Sequence, residues 1–362
     1  MSYITAIETA LPGYLHTQKS FSLFYSNSTN DADVIRKINI ISAKTGIENR
    51  YSVLKDYSLL PDAFEFYAKD ASLLPEPGLN QRMTIFREEA FSLSLQAIRN
   101  IKNFDSIKNS ITHIITVTCT GLFAPGLDIQ LIQELNLQPT ISRSSINFMG
   151  CNAAILALKQ ADIICKNNAA ANVLIVCTEL CTLHFQRNYS DDYIVSNQLF
   201  GDGCAAVLVS GQAIAFQSDT YIQIESFNSL LLHNGYNDMA WQLSETGFKM
   251  NLTSYVSDLI NTNIKAMLDD VGVVPETIDH WAIHPGGKKI IDDFCSALNL
   301  PASKLAASYE VLKNYGNMSS PTVLFVLKQV IEENISAKKG SSIFSAAFGP
   351  GISIETMQLK FS

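Results

Sequence analysis

The sequence predicts an α/β protein built from two similar halves. Three observations carry that expectation: short apolar β-type runs ending in small or polar residues, helix-period segments between them, and a second appearance of the same order later in the chain. With 362 residues, 47% of them hydrophobic and 17% charged, the chain is long enough for two fused cores and too apolar for disorder.

In the first half the runs "HIITVTCTG" (113–121), "NVLIVCTE" (172–179) and "CAAVLVS" (204–210) read as buried strands feeding loops. Between the first two, "NAAILALKQADIICKNN" carries Ile155, Leu158, Ile163 and Ile164 and ends in Lys and Asn, the pattern of a core-facing helix. Cys151 then falls at a strand-to-helix turn. The same order returns at an offset of 167 to 169 residues: "HWAIHPG" (280–286) answers "HIITVTC", "FVLKQVIEE" (325–333) answers "LALKQADII", and "SIFSAAFG" (342–349) answers "VLIVCTE". Chemistry is expected where duplicated halves meet, at strand ends and helix starts. The division is expected near "VSGQAIAFQSDT" (209–220), giving an N-terminal half of 1–212 and a C-terminal half of 213–362. Residues 52–82, with Pro, Gly and aromatic residues but no steady period, read as an insertion or lid-like excursion.

Charge and cysteine usage exclude several function classes. A net charge of −8 without a Lys/Arg run argues against a nucleic-acid surface. No apolar run approaches the roughly 20 residues of a bilayer span, and the N-terminus lacks a secretory pattern, so a cytoplasmic protein is expected. The seven cysteines form no C-x-x-C pair and no zinc-ligand spacing, which predicts reduced thiols and no metal site.

Cys151 in "FMGCNAA", His284 in "AIHPGG" and Asn317 in "NYGNMSS" are each expected at the end of a strand beside a helix start. A thiolate is a nucleophile, and a helix N-terminus or an imidazole lowers its pKa. An asparagine donates hydrogen bonds without titrating, which suits a thioester carbonyl or an enolate oxygen. Taken singly, a buried cysteine is more often a small hydrophobe, the histidine a strand cap, and "GNMSS" a helix-capping turn. Their shared placement raises them to an acyl-transfer set.

With these residues in place, the chain resembles the type III polyketide synthases, the chalcone-synthase-like branch of the thiolase superfamily, along nearly its whole length. "GCNAA", "VLIVCTELCTLHF", "LFGDGCAAVLV", "IHPGG", "YGNMSS" and "AFGPGISIET" follow in family order. The resemblance implies a thiolase fold, two similar halves in αβαβα layers, and an acyltransferase that loads an acyl-CoA starter, extends it with malonyl-CoA by decarboxylative condensation and cyclises the product. It implies a homodimer with no metal or redox cofactor. Cys151 becomes the acyl-accepting nucleophile. His284 and Asn317 bind the malonyl thioester and its enolate, and His284 keeps Cys151 as thiolate.

Phe200 and Met250 match two gatekeeper positions, the second a departure from the plant phenylalanine. Cys119, Thr120, Cys181, His184 and Trp241 match cavity positions, and Ser319, Gly349 and Pro350 belong to motifs around the same cavity. Ala124 matches the residue that reaches into the partner subunit, and Lys44 and Arg50 match the CoA-phosphate region. These departures from plant sequences resemble bacterial members. Two other readings share the residues: a single-round β-ketoacyl synthase fed by acyl carrier protein, and a catalytically silent thiolase-fold scaffold. The starter, the number of extensions and the ring closure are not readable from sequence.

Overall fold

A computed structural model of the chain describes residues 1–213, 221–236, 238–252 and 255–362. Its main sheet contains β1 (Ser2–Ala10), β2 (His113–Thr118), β3 (Ser142–Asn147), β4 (Asn172–Leu180), β5 (Asp202–Ser210), β6 (Ile222–Leu231), β7 (His280–Ile283), β8 (Ser342–Gly349) and β9 (Ser353–Phe361), in the spatial order β7-β8-β9-β6-β1-β5-β4-β2-β3. The expected strands form, and β4 and β5 are buried at every residue, as continuous apolar runs require.

The duplication is visible in the pairing. In the first half β2 runs parallel to β4, with His113 opposite Val173; in the second β7 runs parallel to β8, with His280 opposite Ile343. The halves join where Ser2–Ile4 of β1 pairs antiparallel with Ile222–Ile224 of β6. The expected boundary stretch 209–220 lies largely outside the described residues.

Helices α1 (Leu79–Arg99), α2 (Ala153–Asn167), α3 (Tyr255–Asp270), α4 (Lys288–Ala297), α5 (Ala306–Tyr315) and α6 (Thr322–Glu333) supply the layers. The repeat-related α2 and α6 form the middle layer. Ala153, Ala154, Ala157 and Leu158 of α2 and Val323, Leu324, Val326 and Leu327 of α6 are solvent-free in one core shared by both halves of the sheet. Small alanines let α2 lie between two sheet faces at close approach. Helix α1 covers the outer face of the first half, and α3 and α4 that of the second. The resulting order is αβαβα.

Two expectations are corrected. Ile163 is 61% exposed rather than core-facing, because it shares an open flank of α2 with Leu156, Lys159 and Gln160 at helical spacing. Residues 52–82 are no lid: Tyr57, Phe64, Tyr67 and Leu73 are buried in the outer core of the first half, so the segment's irregular backbone hides apolar cargo. Asp56 holds that backbone by accepting from the N–H groups of Glu65, Phe66 and Tyr67. Among the described residues no helix is long and apolar enough to cross a membrane.

Candidate active site

Cys151 stands immediately before α2, and its approach is set by Gly150. That residue has φ +86°, and a Cβ on it would lie 2.0 Å from Cδ of Pro350, so both conformation and space demand glycine. The Gly150 N–H donates to Sγ of Cys119 at 3.1 Å, and Asn152 donates through Nδ2 to Oγ of Ser353 at 2.8 Å. The loop is thereby tied to both halves. Gly349 lies against the Asn152 amide, so Gly349 and Pro350 pack the cysteine loop rather than line a cavity.

His284 follows β7 and is 1% exposed, its N–H donating to the Ala346 carbonyl at 2.9 Å. Neither ring nitrogen has a hydrogen-bond partner among the described residues. Asn317 is placed differently from the sequence expectation: it follows helix α5 and precedes α6, with no strand before it. Its backbone pairs with the segment at Phe200, the Asn317 N–H donating to Leu199 O and the Gly201 N–H donating to Asn317 O, each at 3.0 Å. The side-chain Nδ2 donates to Gly286 O at 3.3 Å, Oδ1 accepts from the Ser319 N–H at 2.8 Å, and the amide lies 3.9 Å from the Cys151 sulfur. Three separate segments therefore converge on one point.

The electrostatics differ from the expected thiolate–imidazole pair. Burial raises the Cys151 thiol to about 11, against hydrogen bonds from Ser319 and Asn317 that lower it. Burial lowers the His284 imidazole to about 3. With no bond between them, both groups are neutral near pH 7. A neutral imidazole keeps one N–H to donate and one lone pair to accept.

Cys151, His284 and Asn317 open on one cavity of about 330 Å³, walled by Leu199, Met239 and Ile290 among others. Phe200 and Met250 form its inner wall and are also walls of a second chamber of about 30 Å³, which Cys181, His184 and Trp241 line from the far side. That far side is fixed. Trp241 Nε1 donates to Cys119 O at 2.7 Å; His184 accepts the Phe248 N–H at Nδ1 and donates from Nε2 to Thr120 O, stacking on the Phe248 ring 4.3 Å away. His184 is thus a neutral structural wedge, lowered to about 3 by burial.

Cys119 and Thr120 line neither cavity. Their groups turn to Glu179, a fully buried carboxylate that accepts from the Cys119 N–H at 2.8 Å, Thr120 Oγ1 at 2.8 Å and Ser320 Oγ at 2.7 Å. Sequence reasoning missed Glu179; the signal was a charged residue ending the otherwise apolar run "VLIVCTE". Arg50 is also displaced from its expected place at a CoA phosphate. It is 0% exposed, donates from Nη1 to the Asn197 and Phe200 carbonyls at 3.0 and 2.7 Å, and stacks on Phe21. A phosphate in solvent is out of its reach. Lys44 ends a surface helix, outside both cavities, and Ala124 is exposed. All seven cysteines are free and buried.

Residues 1–213 match the family model for the N-terminal domain of chalcone and stilbene synthases, and residues 223–361 match that for the C-terminal domain. The chain is 34% identical over 296 residues to the alpha-pyrone synthesis polyketide synthase-like Pks18 of Mycobacterium tuberculosis, a match covering 78% of this chain and 74% of the relative. Among solved structures, PKS-I from the brown alga Ectocarpus siliculosus superposes with a TM-score of 0.90 at 26% identity, covering 99% of this chain and 98% of that one. The C-terminal type III polyketide synthase domain of Steely1, a type I/III hybrid from Dictyostelium, gives 0.87 at 26% identity, with 99% of each chain covered.

Proposed function

We propose, for a chain that belongs to the chalcone and stilbene synthase family and is a type III polyketide synthase, that Cys151 carries the growing acyl chain. Enzymes of this family take acyl-CoA starters and malonyl-CoA extenders. The observation that carries the residue assignment is the convergence of Cys151, His284 and Asn317 on a single cavity, with both imidazole nitrogens of His284 unpartnered. A buried polar group without a partner is costly, and a ligand oxygen arriving there removes the cost.

In this reading the Cys151 sulfur attacks the starter thioester carbonyl, its proton passes to the lone pair of His284, and the departing CoA thiolate takes that proton up. Malonyl-CoA then occupies the cavity and its carboxylate leaves as CO2. The electron pair moves into an enolate whose oxygen accepts from the His284 N–H and from Asn317 Nδ2. The enolate carbon attacks the Cys151 thioester carbonyl, a carbon–carbon bond forms as the carbon–sulfur bond breaks, and the lengthened chain, now a CoA thioester, is exchanged back onto the freed sulfur with release of CoA for the next round. Loss of CO2 supplies the driving force, so the proposed reaction needs no metal and no redox cofactor. Donors fixed in a dry cavity stabilise the enolate more than water does.

The inner chamber of about 30 Å³ holds little more than a water molecule, which supports a short product and few extensions while Trp241 stays in place. A cytoplasmic homodimer completes the proposal. Leu122, Met149 and Ile163, 46%, 47% and 61% exposed, supply apolar surface for a second copy.

The test is Cys151→Ala incubated with a panel of acyl-CoA starters and malonyl-CoA. Mass spectrometry is expected to find an acyl adduct on Cys151 of the natural chain and none on the variant, with extended products lost. Extension sustained by Cys151→Ala would assign the acyl chain to another residue.

A further inference from the structure

We infer that Arg50 is a positioning residue for Asn317: its buried guanidinium locks the peptide unit from which the Asn317 backbone hangs. The inference rests on reading Asn317 as a donor to the enolate oxygen.

The lock is built on one helix end. Helix Asp191–Leu199 finishes at the cavity wall, and the last carbonyls of an α-helix have no partner within it. Here the carbonyls from Asn197 to Phe200 all find one elsewhere in the chain. Those of Asn197 and Phe200 accept from Nη1 of Arg50 at 3.0 and 2.7 Å, that of Gln198 from Nε2 of Gln18 at 2.9 Å, and that of Leu199 from the Asn317 N–H at 3.0 Å. Arg50 and Asn317 therefore hold the same helix end. They also hold the same peptide unit, because the Phe200 carbonyl faces Arg50 while the N–H of that peptide, which belongs to Gly201, donates to the Asn317 carbonyl. A peptide unit is planar, so fixing its carbonyl fixes the direction of its N–H.

The stem of Arg50 runs against the residue just before Asn317. Gly316 has φ +67°, and a Cβ there would lie 2.9 Å from Cγ of Arg50, 3.0 Å from its Cδ and 2.8 Å from the Leu199 carbonyl oxygen. Glycine at 316 lets the arginine stem, the helix end and the asparagine turn close on one another. The short strand that carries Arg50, Asn49–Ser52, is tied to both halves of the chain. The Glu48 N–H donates to Lys313 O of α5 at 2.8 Å, and the Val53 N–H donates to Asp202 Oδ2 at 2.9 Å.

Stability alone does not account for an arginine here. It is 0% exposed, Nη1 bonds only neutral carbonyls, and Nε and Nη2 have no hydrogen-bond partner among the described residues. Such a buried charge is costly, and an apolar side chain of similar length would fill the same space. A methionine in its place has no N–H to give to either carbonyl.

The experiment is a double-mutant cycle on CO2 release from malonyl-CoA. Arg50→Met keeps the stem and removes the donors; it is expected to fold, with kcat lowered at least about tenfold and KM within about twofold of the natural chain. Asn317→Ala is expected to lower kcat about a hundredfold or more. In the double variant the Arg50 change should cost less than about twofold beyond Asn317→Ala alone, because its effect runs through the amide already removed. Arg50→Lys, which returns a donor to the helix end, should recover part of the lost kcat. If Arg50→Met does not fold, Arg50→Lys takes its place in the cycle, with a smaller loss that again vanishes in the Asn317→Ala background. A native kcat in the variant that folds overturns the assignment, as does a loss that falls on KM or multiplies with that of Asn317→Ala. If the natural chain releases no CO2, or Asn317→Ala releases it at the native rate, the acyl-transfer reading falls first and this one with it.

Discussion

A thiol raised to about 11 beside an imidazole lowered to about 3 is a neutral pair, and that has a measurable consequence before any substrate binds. Because alkylation proceeds through the thiolate, labelling of Cys151 by iodoacetamide in the ligand-free protein should climb about tenfold per pH unit from pH 7 towards 11. Peptide mass spectrometry at stepped pH reads this directly. A plateau reached below pH 7 would instead show a standing thiolate–imidazolium pair, the expectation drawn from family resemblance. Trp241 gives a second residue-scale prediction. Trp241→Ala removes the indole from the inner chamber together with its bond to Cys119 O, and should lengthen the product series seen by mass spectrometry while lowering stability by about 2 kcal/mol. An unchanged series would mean that Phe200 and Met250 alone set the product length. Single residues were legible in the sequence where a motif carried the chemistry, as for Cys151, His284 and Asn317. Glu179 was not, because its partner Ser320 lies 141 residues away and only folding brings them together. Arg50 was misplaced for a related reason: a cation reads as surface until the carbonyls that enclose it are known.

Elements repeat this contrast. Strands β2, β4 and β5 and helix α2 were readable because their apolar periods are local properties of the chain. The tie between Phe200 and Asn317 was not readable, since no local pattern announces a single bridge between distant loops. Segment 52–82 was misread because it has no period, although burial of its aromatic residues needs none. The loop before α2 makes the sharpest claim at this scale. Gly150→Ala forces a Cβ into Pro350 and a left-handed backbone on alanine, so the cysteine loop has to move. The expected result is a loss of about 2 kcal/mol or more in thermal or denaturant unfolding, with product formation falling at least about a hundredfold from displacement of Cys151. Retention of full activity would show that Pro350 yields and that the loop geometry is not what positions the sulfur.

At the scale of the whole molecule, the two halves are sewn together by polar groups as well as by the shared middle helices. Glu179 reaches Ser320, and Asn152 reaches Ser353. The seam buries titratable groups, and burial fixes how stability depends on pH. His184 and His284, held at about 3 against an ordinary 6.5, resist protonation only while folded. Their contribution is present above pH 6.5 and is lost as pH falls towards 3, about 5 kcal/mol each at the limit. Asp202, raised to about 7 by burial, works in the opposite direction, since its neutral form is favoured in the fold and its contribution fades as pH rises from 3.8 to 7. Glu179, fully buried and likewise raised by burial, works with Asp202, so the acid-side loss is that of the two imidazoles less what these two carboxyls return. On the alkaline side burial raises Cys151 to about 11 and Cys165 and Cys204 to about 12, and pushes Cys119, Cys177 and Cys181 up as well. Unfolded thiols ionise near 9 while the folded ones do not, so stability is present below pH 9 and drains as pH rises through 11. The unfolding temperature, followed by calorimetry under reducing conditions, should therefore be highest between about pH 6.5 and 9 and fall on both sides. A flat profile from pH 6.5 down to 4 would show that His184 and His284 take up protons without unfolding, which requires water at both rings and would undo the sealed, neutral site from which the proposed chemistry proceeds.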